Sequence, residues 1–184
     1  MRKEQFQYID KKIEEQIKEH KIAGASLKIW QNNEEIYEVQ KGYADLENLV
    51  SVKKDTIFRI YSMTKPVTAV AAMILYERGM LDLFTPVSCY LEGFRDQKVY
   101  ENGRLVPVHR EARIKDLLNM TSGLVYPGED HPAKLCMKQL FDKEKEDREI
   151  RGKKMTTVEF CNEIGRQPLL FSPGEGWNLS LIHI

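Results

Sequence analysis

Apolar residues recur every three or four positions among charged ones near the start of the chain. The positions that follow this spacing are Phe6, Ile9, Ile13 and Ile17. This period is typical of a helix with one apolar stripe. The sequence therefore predicts an amphipathic surface helix from about Lys3 to Glu19, with the stripe packed on a sheet.

Apolar and polar residues then alternate, which is the period of a strand with one buried face. The run from Ala25 to Trp30 has this pattern, and a second apolar run follows from Ile36 to Val39. Between them stand Asn32 and Asn33, which have the turn chemistry of a tight hairpin. The segment is predicted to form a β-hairpin.

The run from Val67 to Tyr76, VTAVAAMILY, is apolar at nine of its ten positions and is rich in helix-forming residues. Gly79 is well placed to end a helix, and Pro66 is tolerated only in a first turn. We therefore predict a helix that begins within about a residue of Ser62. Because it is apolar all round, we expect it to be buried on every side.

Prolines and glycines interrupt the stretches 81–90 and 93–109, which predicts loops rather than long elements. A short helix is predicted from Ile114 to Met120, where Ser122 and Gly123 follow as a stop signal.

Two further helices are predicted in the last third of the chain. The highly charged stretch from Ala133 to about Glu149 is interpreted as an exposed helix and an insertion. Thr156 followed by Glu159 is the pattern of a capping box, which predicts a helix through Ile164.

The overall composition predicts an ordinary folded domain. Of the 184 residues, 42% are hydrophobic, which is enough to form a core. The 28 basic and 28 acidic residues balance, so neither nucleic acid nor an anionic membrane is a favoured partner. No apolar run resembles a signal peptide or a membrane span, and the expectation is a cytoplasmic protein.

The sequence gives no sign of a metal or cofactor site. Neither the three cysteines nor the four histidines have metal-ligand spacing, and an odd number of cysteines does not indicate a disulfide framework. A glycine-rich phosphate loop is also missing from the sequence. We therefore expect no cofactor, idle thiols and surface histidines.

Ser62 and Lys65 form the one constellation with clear chemical meaning. A spacing of three places both side chains on one face of a helix, within reach of a shared proton. A serine hydroxyl needs a base to become a nucleophile, and a lysine can serve when burial destabilises its ammonium form. The alternative is a serine that only caps the helix, beside an exposed lysine.

Spacing alone is weak evidence, because Ser51 and Lys54 show the same pattern. Their neighbours are charged and no apolar helix follows them, so we interpret this copy as a surface coincidence.

The surroundings of Ser62 resemble those of a known family. The segments GASLKIWQNNEEIYEVQKGYADLE, FRIYSMTKPVTAVAAMILYERGMLDL and VHREARIKDLLNMTSGL are similar, in this order, to the serine β-lactamase-related family. That family groups class C β-lactamases, D-amino-acid-specific peptidases and small-ester hydrolases. A small departure is Asn119 and Met120, where relatives usually have threonine and histidine.

The resemblance implies a fold and a function. The expected fold class is α/β (α+β), a β-lactamase/transpeptidase-like antiparallel sheet with helices packed on it. The implied function is a serine hydrolase with Ser62 as nucleophile and Lys65 as its proton partner, acting through an acyl-serine on a small ester, amide or lactam. The alternative is a non-catalytic penicillin-recognising binding or sensor module. Oligomeric state is left open.

Other elements of the family's site do not appear in the sequence. Relatives have a Tyr-x-Asn motif and a later Lys-Thr-Gly or His-x-Gly strand, whereas Leu179 and Leu181 occupy the expected tyrosine and asparagine positions. The last six residues, LSLIHI, match a back-translated sequencing adapter and are interpreted as non-native. Residues 1–178 are therefore expected to be the N-terminal part of one domain, truncated before its C-terminal strands and inactive alone.

Overall fold

The computed structural model describes residues 4–180, which fall into two compact units. One unit runs up to Arg59 and the other starts at Ile60. Lys3, Leu181 and His183, on which predictions were made, lie outside the described residues, as does most of the C-terminal hexapeptide.

The first unit contains one helix and a small antiparallel sheet. Its elements are α1 (Glu4–Lys18), β1 (Gly24–Gln31), β2 (Glu34–Asp45) and β3 (Val50–Ser51). The strand order is β1-β2-β3. The apolar stripe of α1 packs on β2, where the Phe6 and Tyr37 rings stack at 4.4 Å between centroids. The predicted first helix is confirmed.

The predicted hairpin is confirmed as β1 and β2. Its two-residue turn consists of Asn32 and Asn33, whose φ angles of 51° and 64° are both left-handed. Such a turn matches the twist of the flanking strands, and asparagine adopts this conformation more readily than most residues. Gln31 therefore pairs directly with Glu34.

The second unit begins with a 3-10 helix, Tyr61–Met63, that leads into the longer helices. These are α2 (Thr64–Glu77), α3 (Ile114–Leu118), α4 (Pro132–Ile150) and α5 (Thr157–Gly165). The predicted capping box of α5 is present, because Glu159 N–H donates to Thr156 Oγ1 at 3.2 Å and Thr156 N–H donates to Glu159 Oε2 at 2.8 Å.

The stretch 93–109 contains a hairpin that was predicted as loop. Strands β4 (Lys98–Glu101) and β5 (Arg104–Pro107) pair across an Asn102-Gly103 turn. Both turn residues have a positive φ. An Asn-Gly pair is a strong hairpin signal that was outweighed by the neighbouring glycine and prolines.

The core of the second unit draws residues from most of its elements. Its buried members are Val87, Phe94, Ala112, Leu124, Val125, Ala133, Met137, Leu140, Ile164 and Leu169. The charged helix α4 contributes Ala133, Met137 and Leu140 at helical spacing. The predicted helix is confirmed, but the prediction that it is exposed was wrong for one stripe, which is part of the core.

The prediction that α2 is buried on every side was also wrong. Only Lys65 of this helix is buried, while Val67, Val70 and Ile74 are exposed. An apolar pattern shows that a surface favours burial, but it does not specify which residues cover it. In the part of the chain that the structure describes, the apolar face of α2 remains exposed to solvent.

We expect this apolar face to make the isolated 184-residue chain self-associate, because large exposed apolar patches favour association. Val70→Glu places a charge on the face and should shift the chain towards the mass of a single copy. Light scattering after size exclusion measures this change. The matched control is Val158→Glu on α5, since Val70 and Val158 are 59% and 61% exposed. A wild-type chain that elutes as a monomer would contradict the expectation.

Two further observations concern the described residues as a whole. Among residues 4–180, none of the helices combines the length and apolar character that crossing a bilayer requires. Cys89, Cys136 and Cys161 are free thiols, and burial raises the pKa of the Cys161 thiol.

Candidate active site

Ser62 and Lys65 lie at the junction between the 3-10 helix and α2. Ser62 is in the 3-10 helix, and Lys65 is the second residue of α2. Pro66 follows within the first turn, where its missing N–H removes no helical hydrogen bond. The start of the helical segment therefore agrees with the predicted position to within a residue or two.

The two side chains are in contact. Lys65 Nζ donates a hydrogen bond to Ser62 Oγ at 3.2 Å. Their exposures differ sharply, because Lys65 is 8% exposed whereas Ser62 is exposed to solvent. A hydroxyl that solvent can reach thus lies directly above a buried amine, an arrangement in which a proton can pass between them.

Tyr126 is a third member of this cluster that sequence reasoning missed. Its hydroxyl accepts a hydrogen bond from Lys65 Nζ at 2.8 Å, and the same nitrogen lies 5.5 Å from the centre of the tyrosine ring. Tyr126 is 61 residues away from Lys65 in the chain. The sequence signal is its position two residues after the family-like segment that ends in TSGL, but spacing alone cannot reveal such a contact.

The segment that carries Tyr126 is anchored from both sides. Leu124 and Val125 are buried in the core immediately before it. Gly123 C=O accepts a hydrogen bond from Leu170 N–H at 2.8 Å. Asn178 N–H donates to Met120 C=O at 3.1 Å, so the C-terminal part of the described chain lies beside this segment.

Tyr61, directly before Ser62, has a left-handed backbone with a φ of 44°. Residues other than glycine rarely adopt this conformation, and for a bulky side chain the strain is roughly 1–2 kcal/mol. Strained backbone concentrates at functional sites, where the surrounding structure holds it in place. The left-handed backbone of Tyr61 is therefore a second indication of a functional site at Ser62, and it does not depend on the serine–lysine spacing.

The second serine–lysine pair has a different environment. Lys54 Nζ contacts the carboxylate of Glu38, and Lys28 Nζ lies 2.8 Å from the same carboxylate. Hydrogen bonds from Lys28 and Lys54 lower the pKa of Glu38 to about 2. Lys54 is thus the exposed partner of a carboxylate, in contrast with the buried Lys65.

Leu179 occupies the position where the family motif has a tyrosine, and its side chain is exposed. This leucine is the first residue of the hexapeptide that is interpreted as non-native. The neighbouring Asn178 Nδ2 donates to Leu124 C=O at 3.4 Å, which brings this end of the described chain near the Tyr126 segment.

The histidines within the described residues have separate environments. His109 Nδ1 contacts the Glu175 carboxylate, and this hydrogen bond raises the pKa of the histidine. His131 Nδ1 accepts from Ala133 N–H at 3.1 Å and so caps α4. Within residues 4–180, no cluster of three or more His, Cys, Asp or Glu side chains is arranged to hold a metal ion.

Comparisons with known proteins identify the family to which the chain belongs. The family model described as Beta-lactamase matches residues 9–182. Esterase EstB of Burkholderia gladioli is 30% identical over 173 residues, which cover 94% of this chain and 41% of that protein. The human mitochondrial serine beta-lactamase-like protein LACTB is 40% identical over 84 residues, or 46% of this chain and 14% of that protein.

A solved structure is similar over nearly the whole chain. EstCE1, described as a hydrolase with promiscuous acyltransferase activity, has a TM-score of 0.73 and 26% identity. The match covers 95% of this chain and 43% of that one. The chain therefore spans less than half the length of each of these relatives. It belongs to the beta-lactamase family and has the β-lactamase/transpeptidase-like fold.

Proposed function

We propose that the full-length protein is a serine hydrolase that acts through an acyl-serine on a small ester, amide or lactam. In this proposal Ser62 is the nucleophile and Lys65 is its proton partner. The observation that carries it is the 3.2 Å contact between Lys65 Nζ and Ser62 Oγ, with the amine buried and the hydroxyl exposed. This chain supplies that pair, as the N-terminal part of the domain.

The first half of the reaction forms the acyl-serine. The neutral amine of Lys65 takes the proton of Ser62 as the oxygen attacks the substrate carbonyl carbon. The carbonyl π electrons move to its oxygen, which becomes an oxyanion. When the oxyanion collapses, the bond to the leaving group breaks, and the leaving alcohol or amine takes the proton from Lys65.

The second half releases the product. A water molecule gives its proton to Lys65 and attacks the acyl carbon, forming a second oxyanion. Collapse of this oxyanion breaks the bond to Ser62 Oγ, which recovers the proton from the lysine. The acid is released, and serine and amine return to their starting states with no net change in the protein.

Tyr126 supports the base role of Lys65. A neutral amine has two N–H donors and one lone pair. If one N–H donates to the Tyr126 hydroxyl at 2.8 Å, the lone pair can point at the Ser62 hydroxyl. We propose that Tyr126 orients the amine in this way.

The substrate class is proposed from the relatives. EstB is named an esterase, and EstCE1 is described as a hydrolase with acyltransferase activity, so esters are the first substrates to test. The balance of 28 basic and 28 acidic residues favours a small molecule over nucleic acid or an anionic membrane as the partner. We propose a cytoplasmic location.

The test is covalent labelling with a fluorophosphonate. Ser62 Oγ should attack the phosphorus and displace fluoride, and peptide mapping of the full-length protein should find the phosphonate on Ser62. Ser62→Ala should abolish the labelling, whereas Ser51→Ala, at the other serine–lysine pair, should leave it unchanged. Labelling that persists in Ser62→Ala would overturn the nucleophile assignment.

A second candidate function is a non-catalytic penicillin-recognising sensor. Such a sensor would use the same contact between Lys65 Nζ and Ser62 Oγ to form an acyl-serine, and it would differ from a hydrolase in the release step. A sensor would keep its acyl group, whereas a hydrolase would release it. The lifetime of the acyl-serine after a penicillin or ester pulse, followed by intact mass, distinguishes the two.

A further inference from the structure

An ion pair at the start of α3 involves an almost fully buried carboxylate. Asp116 is 1% exposed, and Arg110 donates to its two oxygens at 2.6 and 3.0 Å. Arg113 N–H also donates to Asp116 at 2.9 Å. Burial raises the pKa of Asp116, but these hydrogen bonds outweigh it and bring the pKa below its ordinary value. The carboxylate is therefore charged and held by several donors.

The same carboxylate holds the start of the segment that leads to Tyr126. Thr121 Oγ1 lies 3.2 Å from Asp116 Oδ1 and 2.6 Å from Asn119 Oδ1, so its one hydroxyl hydrogen is shared between these two acceptors. Thr121 N–H donates to the Asp116 carbonyl at 2.8 Å. On the other side, Gly174 N–H donates to Thr121 C=O at 2.8 Å. We call Asp116, Arg110 and Thr121 the Asp116 network.

The chain segment between Thr121 and Tyr126 has little conformational freedom. Ser122, Leu124 and Val125 are fully or almost fully buried. Gly123 has a left-handed φ of 82°, and a Cβ there would overlap the Phe171 carbonyl oxygen. A segment fixed at Thr121 and packed up to Val125 determines where the next side chain, Tyr126, is placed.

We propose that the Asp116 network is a positioning device that sets the Tyr126 hydroxyl against Lys65. Asp116 touches neither Lys65 nor Ser62 by hydrogen bond, and it acts through Thr121 and the buried segment. The effect on acylation rests on the proposed function, whereas the effect on the Lys65 environment does not.

A purely structural role must be separated from this positioning role, because Asp116 also accepts from Arg113 N–H at the start of α3. Thr121→Val replaces the hydroxyl with a methyl group and keeps both partners of the ion pair between Asp116 and Arg110. Thr121→Ser keeps the hydroxyl and is the rescue variant. Asn119 Oδ1 competes with Asp116 Oδ1 for the same hydroxyl hydrogen, so Asn119→Ala is the matched control for losing the contact with Asn119.

Two rates are measured in the full-length protein. The first is phosphonylation of Ser62, and the second is acetylation of Lys65 by acetic anhydride, followed by peptide mapping. Thr121→Val should slow the phosphonylation of Ser62 about tenfold and speed the acetylation of Lys65 several-fold, which is the size of effect expected for coupled contacts. Thr121→Ser and Asn119→Ala should stay within about twofold of the wild type for both rates.

The deciding test is a double-mutant cycle with Tyr126→Phe. If Thr121 acts through the Tyr126 hydroxyl, Thr121→Val should change neither rate further in the Tyr126→Phe background. Additive effects, or equal losses in Thr121→Ser and Thr121→Val, would overturn the positioning role. If Ser62 is not phosphonylated in any variant, the proposed function fails, and Lys65 acetylation alone still decides whether the network positions Tyr126.

Discussion

Lys65→Met is expected to slow acylation of Ser62 about a thousandfold, within the range that general bases contribute. Methionine fills a similar volume and has no basic nitrogen, so the serine proton loses its acceptor. The 3.2 Å contact between Lys65 Nζ and Ser62 Oγ is the structural reason for so large an effect. The measurement is the rate of fluorophosphonate labelling in the full-length protein, complemented by hydrolysis of a nitrophenyl ester.

Two further substitutions sharpen this result. Lys65→Arg places a permanent positive charge at this position and should be impaired to a similar degree, because a guanidinium does not give up its proton to act as a base. Lys54→Met removes the exposed lysine of the other pair and should leave the rate unchanged. An active Lys65→Arg variant would contradict the base role and would indicate that only the charge matters.

The second large effect is on stability. Gly123→Ala is expected to lower the free energy of unfolding by about 3 kcal/mol, because two penalties add. The first is a left-handed φ of 82°, and the second is overlap of the new Cβ with the Phe171 carbonyl oxygen. Urea unfolding of the full-length protein measures the change.

Two other glycines separate the cost of the left-handed backbone from the cost of the overlap. Gly79 and Gly152 have φ angles of 67° and 64°, but a Cβ at either would meet no atom within 4 Å. Their alanine variants should therefore lose only about 1 kcal/mol. If Gly123→Ala were no more destabilising than these two, the close approach of the Phe171 backbone would not be a real constraint.

The elements that the sequence predicts well are those determined by neighbouring residues. The stripe of α1, the Asn32-Asn33 turn and the Thr156–Glu159 capping box each depend on residues a few positions apart. The serine–lysine spacing is equally local, and the contact between Ser62 and Lys65 has the geometry that it predicts. Their catalytic roles stay predictions.

The features that sequence reasoning missed depend on distant residues. Tyr126 reaches Lys65 across 61 positions, and only the folding of the segment after α3 brings them together. The exposure of α2 depends on which elements pack against it, and the apolar pattern of the helix contains no information on that point. The β4–β5 hairpin was missed for a different reason, since its Asn-Gly turn is local and was given too little weight.

The different accessibility of the two reactive groups bears on the choice of covalent ligands. An electrophile arriving from water meets the hydroxyl of Ser62 first, whereas the amine of Lys65 lies beneath the surface. Reagents selective for lysine would have to wait for a local opening of the fold before they react. Inhibitor chemistry for this protein should therefore begin with warheads that target oxygen.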